Sequence, residues 1–284
     1  MNSETGLVST SSSDWRVFLG PLVLICLIYA VWILRYPFWW FFTAVEPIFL
    51  MLIISYAIVL LLAMMFLKKD AQKTLSVVFK WTNSTRVLIG GLLGIIFQIT
   101  WLLLSFGIGG GFEFLPLFSL KGYENYAVTM GFLAFGLYLA FSIFGAFAEE
   151  MTFRSYTQTK VTSHYGYLVG ILFSSLLFSM QHIHVFSLSW LLTFLQTQLP
   201  YVFCFGLFIG YLFYLSQDNL WTVFAFHSVV NIINVTLPIR VTFTLPFANL
   251  VVTIISFVLI FLLLRLWLRD QFVMNRSRGS IRNE

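Results

Sequence analysis

A succession of apolar runs, each about twenty residues long, dominates this chain, and a run of that length crosses the ~30 Å hydrocarbon core of a bilayer as a single α-helix. The runs are Val17–Leu34, Pro47–Leu67, Val87–Phe106, the stretch from Ala127 through Ala148, Tyr165–His182, Leu188–Leu215 with Pro200 inside it, Asn219–Val235 and Leu245–Trp267. In lipid every backbone polar group must be satisfied within the structure, so such runs admit helices and exclude an open sheet. Hydrophobic residues make up 60% of the 284 and charged ones 10%, more apolar surface than a soluble interior of this size can hide. The chain reads as an all-α polytopic transmembrane helix bundle of about eight spans.

Charge sets the expected orientation. The segment after the second run carries Lys68, Lys69, Lys73, Lys80 and Arg86 against Asp70, and the C-terminal end carries Arg265, Arg269, Arg276, Arg278 and Arg282 against Asp270. Basic residues beside spans mark the cytoplasmic side. An even number of runs separates the two clusters, so both agree, and both termini are expected in the cytoplasm. The expected organisation is a Ser/Thr-rich disordered tail at 1–16, three spans at 17–126, a core holding the polar motifs at 127–238, a last span at 239–268 and a basic tail at 269–284. One Arg and no A-x-A site flank the first run, which reads as a retained span rather than a signal peptide. Cys26 and Cys204 lie in apolar runs and suit neither a disulfide nor a metal pair. The net charge of +5 follows the loops and is not a nucleic-acid signature. No internal repeat or inverted symmetry points to a secondary transporter.

Against that background Phe147–Tyr156, FAEEMTFRSY, stands out. An ionisable side chain at the centre of a span costs about 2.5–3.5 kcal/mol or more, which makes it a functional candidate. Glu150 and Arg154 are four apart, acid first, the better order for a helical ion pair. Glu149 is then the carboxylate without a local cation, suited to a general base. Adjacent helical positions point about 100° apart, so the two glutamates are not expected to face one cavity equally. FSMQHIH at 178–184 places Phe178 and His182 on one helical face, with His184 about 200° from His182. FHSVVN at 226–231 places His227 and Asn231 four apart, so their polar tips converge. Each motif also has a plainer reading: an interfacial cap for the glutamates, a hydrogen-bonded interfacial histidine at 182, and a self-satisfied His227–Asn231 pair. Depth favours one polar cavity. Glu149 precedes Lys160 by eleven residues and His227 follows Asp218 by nine, so the two agree within about one helical turn. His182 lies deeper, and the cavity is expected to open to the cytoplasm.

A carboxylate, a histidine and two further polar donors suit hydrolysis of an amide. Glu149 with His182 would take a proton from water, and His227 with Asn231 would receive the oxyanion. A zinc ion on Glu149, His182 and His227 is chemically possible, and the spacing does not separate metal-bound from metal-free water. No nucleophile elbow and no HExxH motif is present.

EExxxR at Glu149–Arg154, FxxxH at Phe178–His182 and HxxxN at His227–Asn231, in that order, resemble the CPBP intramembrane proteases, also called the Abi or type II CAAX prenyl endopeptidase family. The resemblance covers roughly Ala127 to Pro238. One small departure is Ser155, where many members carry Gly. The resemblance implies cleavage of a peptide bond near the cytoplasmic side of the membrane, with Glu149 and His182 activating water without a cofactor, His227 and Asn231 forming an oxyanion hole, and Glu150 and Arg154 in support. It implies as partners the membrane lipids and a peptide or membrane-protein substrate. The substrate class stays open among prenylated tails, bacteriocin immunity and processing of exported peptides. The compact, Phe-rich chain suggests a bacterial plasma membrane, and the sequon Asn83-Ser84-Thr85 falls in the expected cytoplasmic loop as a chance match. Two other classes are kept: a non-proteolytic membrane immunity or binding protein, and a proton-coupled transporter.

Overall fold

A computed structural model describes residues 15–41, 45–70, 84–115, 131–183, 188–243 and 247–280. The polar N-terminal tail, the centre of the basic loop, His184 and the last residues lie outside this set. The helices are α1 (Arg16–Phe41), α2 (Val45–Asp70), α3 (Ser84–Gly107), α4 (Phe132–Glu150), a π-helical segment (Met151–Gln158), α5 (Thr159–Met180), α6 (Leu188–Leu215), α7 (Leu220–Thr236) and α8 (Ala248–Ser280). The fold class is the all-α membrane bundle read from the apolar runs, with one small exception. β1 (Gly111–Phe114) pairs antiparallel with β2 (Ile239–Thr242), placing Glu113 opposite Arg240.

Among the described residues six helical runs are long and apolar enough to cross a membrane, rather than the expected eight. Two causes account for the difference. The helix at the expected seventh span, Asn219–Val235, is α7, whose 17 residues reach roughly 25 Å. The expected fourth and fifth spans form one 49-residue run, Phe132–Met180. That run nevertheless turns back on itself at Gly166, whose φ of 82° is open to glycine and strained for other residues. Beyond the corner, Ser174 Oγ donates to the Phe153 carbonyl at 2.6 Å, and the Phe178 ring meets Phe153 edge-on at 5.5 Å.

The π segment was read as ordinary α-helix from the sequence. A π turn leaves backbone groups out of the α-helical ladder, and hydroxyls meet two of its carbonyls: Ser174 on that of Phe153, and Thr159 Oγ1 on that of Arg154 at 3.2 Å. All eight of its residues are buried.

Close packing of α3 on α7 fixes the helix that carries His227 and Asn231. A Cβ at Gly90 would lie 2.2 Å from the Thr222 carbonyl oxygen, and one at Gly94 2.9 Å from that of Phe226, so small residues let the backbones meet. Gln98 Nε2 then donates to the Val230 carbonyl at 3.2 Å and to Asn234 Oδ1 at 3.1 Å. Behind this contact Phe257 stacks on both Phe97 and Phe208 with centroids 4.6 Å apart. Asn219 caps α7, its Oδ1 accepting from the Thr222 N–H at 3.1 Å.

The bundle has two distinct ends. Phe18 stacks on Tyr165, Phe66 meets Tyr156, and Arg86 donates to the Ser216 carbonyl at 3.1 Å and to Gln217 Oε1 at 2.7 Å. These contacts gather the starts of α1 and α3, the ends of α2 and α6 and the Gly166 corner, and with them Arg16, Lys68, Lys69, Arg86 and Lys160. The β ribbon marks the opposite end.

Candidate active site

Glu149 and Glu150 close α4, where it passes into the π segment. Both reach His227, contrary to the expectation that neighbouring positions diverge. His227 Nδ1 lies 2.7 Å from Glu150 Oε1, and its Nε2 lies 3.8 Å from Glu149 Oε2. The imidazole itself spans the angular gap, because its two nitrogens sit on different edges of the ring and each meets one carboxylate. A carboxylate accepts, so the Nδ1 proton points at Glu150 and Nε2 is turned toward Glu149. The Nε2 separation exceeds a direct hydrogen bond and leaves Glu149 Oε2 without one among the described residues.

Glu150 also meets Arg154, with Nε and Oε2 3.3 Å apart and both side chains fully buried. Arg154 Nη2 donates to the Gly206 carbonyl at 3.3 Å, and its guanidinium lies 4.7 Å from the centroid of the Phe178 ring. Phe178 thereby links the motifs: its ring also contacts His182 at 5.0 Å and His227 at 6.1 Å. His182 stands just past the end of α5, its Nδ1 2.8 Å from the Phe178 carbonyl. That bond places the proton on Nδ1 and leaves Nε2 an acceptor. Among the described residues His182 makes no hydrogen bond or ion pair with Glu149. Asn231 Nδ2 donates to the Ser142 carbonyl at 3.0 Å, which commits one of its two N–H groups and ties α7 to α4.

Burial changes sharply at this level. From Gly145 to Gln158 every residue but Phe147 is buried, whereas between Phe132 and Phe144 only Ala134 is. Ser142, His182 and Asn231 are half-buried, and Glu149 is 5% exposed. The site therefore lies where the closely buried π segment meets the less buried part of α4.

The segment holding all of these motif residues can be compared with known families. Residues 131–233 match the family model described as type II CAAX prenyl endopeptidase Rce1-like. This is the family that the three motifs resemble, and it supports a CAAX-type intramembrane protease-like function for a multi-pass membrane protein. No curated protein matches the chain.

Among the described residues no three His, Cys, Asp or Glu side chains are grouped closely enough to hold a metal ion. One contact of the Rce1-like segment comes from outside it and was not read from the sequence. The Tyr56 hydroxyl, on α2, donates to Glu149 Oε1 at 2.6 Å. A tyrosine in an apolar run carries no spacing signal toward a glutamate 93 residues away; the neighbouring Ser55 is satisfied by its own helix, at the Met51 carbonyl.

Proposed function

We propose that the chain is a metal-free intramembrane endopeptidase in which Glu149 activates water. The observation that carries this reading is the arrangement around His227: one glutamate holds its Nδ1, while the other presents a carboxylate oxygen 3.8 Å from its Nε2. Glu149 Oε2 takes a proton from water, which His182 Nε2 orients as an acceptor. The resulting hydroxide adds to the scissile carbonyl carbon. The developing oxyanion receives the remaining N–H of Asn231 and, when Nε2 carries a proton, that of His227. As the tetrahedral species collapses, the C–N bond breaks and Glu149 returns the proton to the leaving amine. Glu150 and Arg154 orient His227.

With the basic end toward the cytoplasm, both termini lie there. Glu149 stands eleven residues before Lys160, across the π segment, and about 26 Å from Phe132 by α-helical rise, which supports cleavage inside the bilayer, closer to its cytoplasmic face. The partners in this reading are the lipids of a bacterial plasma membrane and a peptide or membrane-protein substrate.

The test compares cleaved peptide termini across the membrane proteome of cells expressing the wild type or Glu149→Gln. Termini present only with the wild type, at equal levels of the two proteins, are expected. Identical termini would sink the endopeptidase reading and move it to a non-proteolytic immunity or binding protein.

A further inference from the structure

The Rce1-like segment does not contain all the contacts that fix Glu149. We infer that Tyr56 is a positioning residue of the proposed site, selecting which oxygen of Glu149 acts as the base; this rests on the endopeptidase reading above. Tyr56 is 7% exposed, and its hydroxyl donates to Oε1 of Glu149 at 2.6 Å, the short range of a bond from O–H to an ionised carboxylate. Glu149 Oε2 is then the oxygen that faces His227 Nε2. A glutamate on a flexible side chain has two equivalent oxygens. With one fixed, the other has a defined direction, which is what a base needs to meet water at a set place.

The packing around Tyr56 serves that contact. Gly145 lies one helical turn before Glu149, and a Cβ there would sit 2.9 Å from Cε2 and 3.1 Å from Cζ of the tyrosine ring. The absence of a side chain lets the ring lie against the backbone of α4 and reach the next turn with its hydroxyl. Trp32 meets the ring edge-on with centroids 5.2 Å apart, and Phe141 packs against it from α4, tilted by 44° at 5.5 Å. Three elements, α1, α2 and α4, thus converge on the orientation of one phenol. The phenol keeps its proton throughout: water's proton goes to Oε2 and from there to the amine, so Tyr56 directs the transfer without entering it.

Tyr56→Phe removes the hydroxyl and leaves the ring contacts. The assay uses a quenched fluorescent peptide spanning a bond that the wild type cleaves in membranes, with wild type, Tyr56→Phe and Glu149→Gln purified in the same detergent. Loss of a hydrogen bond to a charged group predicts a fall in kcat of the folded protein of about 10- to 100-fold, with KM unchanged and the thermal unfolding midpoint lowered only modestly. A purely structural role would lower the unfolding midpoint and leave kcat of the folded protein intact. Full kcat in Tyr56→Phe while Glu149→Gln is inactive would overturn the positioning role alone. Undiminished cleavage by Glu149→Gln would overturn it together with the reading on which it rests.

Discussion

Replacing Arg154 by alanine tests the buried charge cluster most directly. Arg154 is fully buried, as is Glu150, and it holds Glu150 at 3.3 Å, the Gly206 carbonyl at 3.3 Å and the face of Phe178 at 4.7 Å. Removing one member of a buried pair leaves the other charge uncompensated, at a cost of about 3–5 kcal/mol. The emptied volume beside Phe178 adds a cavity cost to this. Native proteins are stable by roughly 5–15 kcal/mol, so Arg154→Ala is expected to lose most of its accumulation in membranes and to unfold at a markedly lower temperature in detergent. The double variant Glu150→Gln/Arg154→Met separates charge from packing. It removes both charges at similar volume and is expected to recover much of the stability, because the cost lies in the unpaired ion rather than in the missing pair. It should nonetheless cleave poorly, since the amide of the new glutamine is a weaker holder of His227 Nδ1 than the carboxylate. An Arg154→Ala protein that accumulates and unfolds like the wild type would refute this account of the cluster, as would a double variant less stable than Arg154→Ala.

Two further outcomes are expected. Gly90→Ala places a methyl 2.2 Å from the Thr222 carbonyl; separating α3 from α7 should cost about 1–3 kcal/mol, seen as a lower unfolding midpoint, and an unchanged midpoint would contradict the close packing. Exhaustive treatment of the purified protein with a zinc chelator should leave its peptidase activity intact, and activity lost with the chelator and restored by added zinc would reverse the metal-free proposal.

What the sequence made legible follows from the range over which each signal acts. Apolar runs report a local property, so the bundle and the positions of its helices could be read directly. The Glu150–Arg154 pair is also local, four residues along one helix, and the structure joins the two side chains. The corner at Gly166 fell where Tyr165 was read as a new span, although the helical run on each side hides it from a count by length alone. Other features depend on partners distant in sequence. The widening of the helix after Glu150 has no periodicity of its own and is accompanied by Ser174, beyond the corner. The meeting of both glutamates on His227 required the approach of α7, set in turn by Gly90 and Gly94 on α3. Tyr56 was invisible for the same reason: its meaning lies in Gly145 and Glu149, not in its neighbours on α2. The ribbon, four residues on each side, is too short to compete with the apolar signal around it.

The acceptors that hold these side chains have a consequence for how such a site can vary. Asn231 is held by the carbonyl of residue 142, His182 by that of 178, Arg154 by that of 206, and Gln158 by that of 210 at 2.8 Å. Every residue carries a carbonyl, so on the acceptor side these bonds make no demand on side-chain identity. The acceptor positions are constrained for other reasons: Phe178 by the contacts of its ring with Arg154, His182 and His227, and Gly206 and Gly210 by packing that a Cβ would crowd. A site built this way leaves a sparse record in its sequence: the letters that donate, and a few that an acceptor position must keep for shape rather than for its bond.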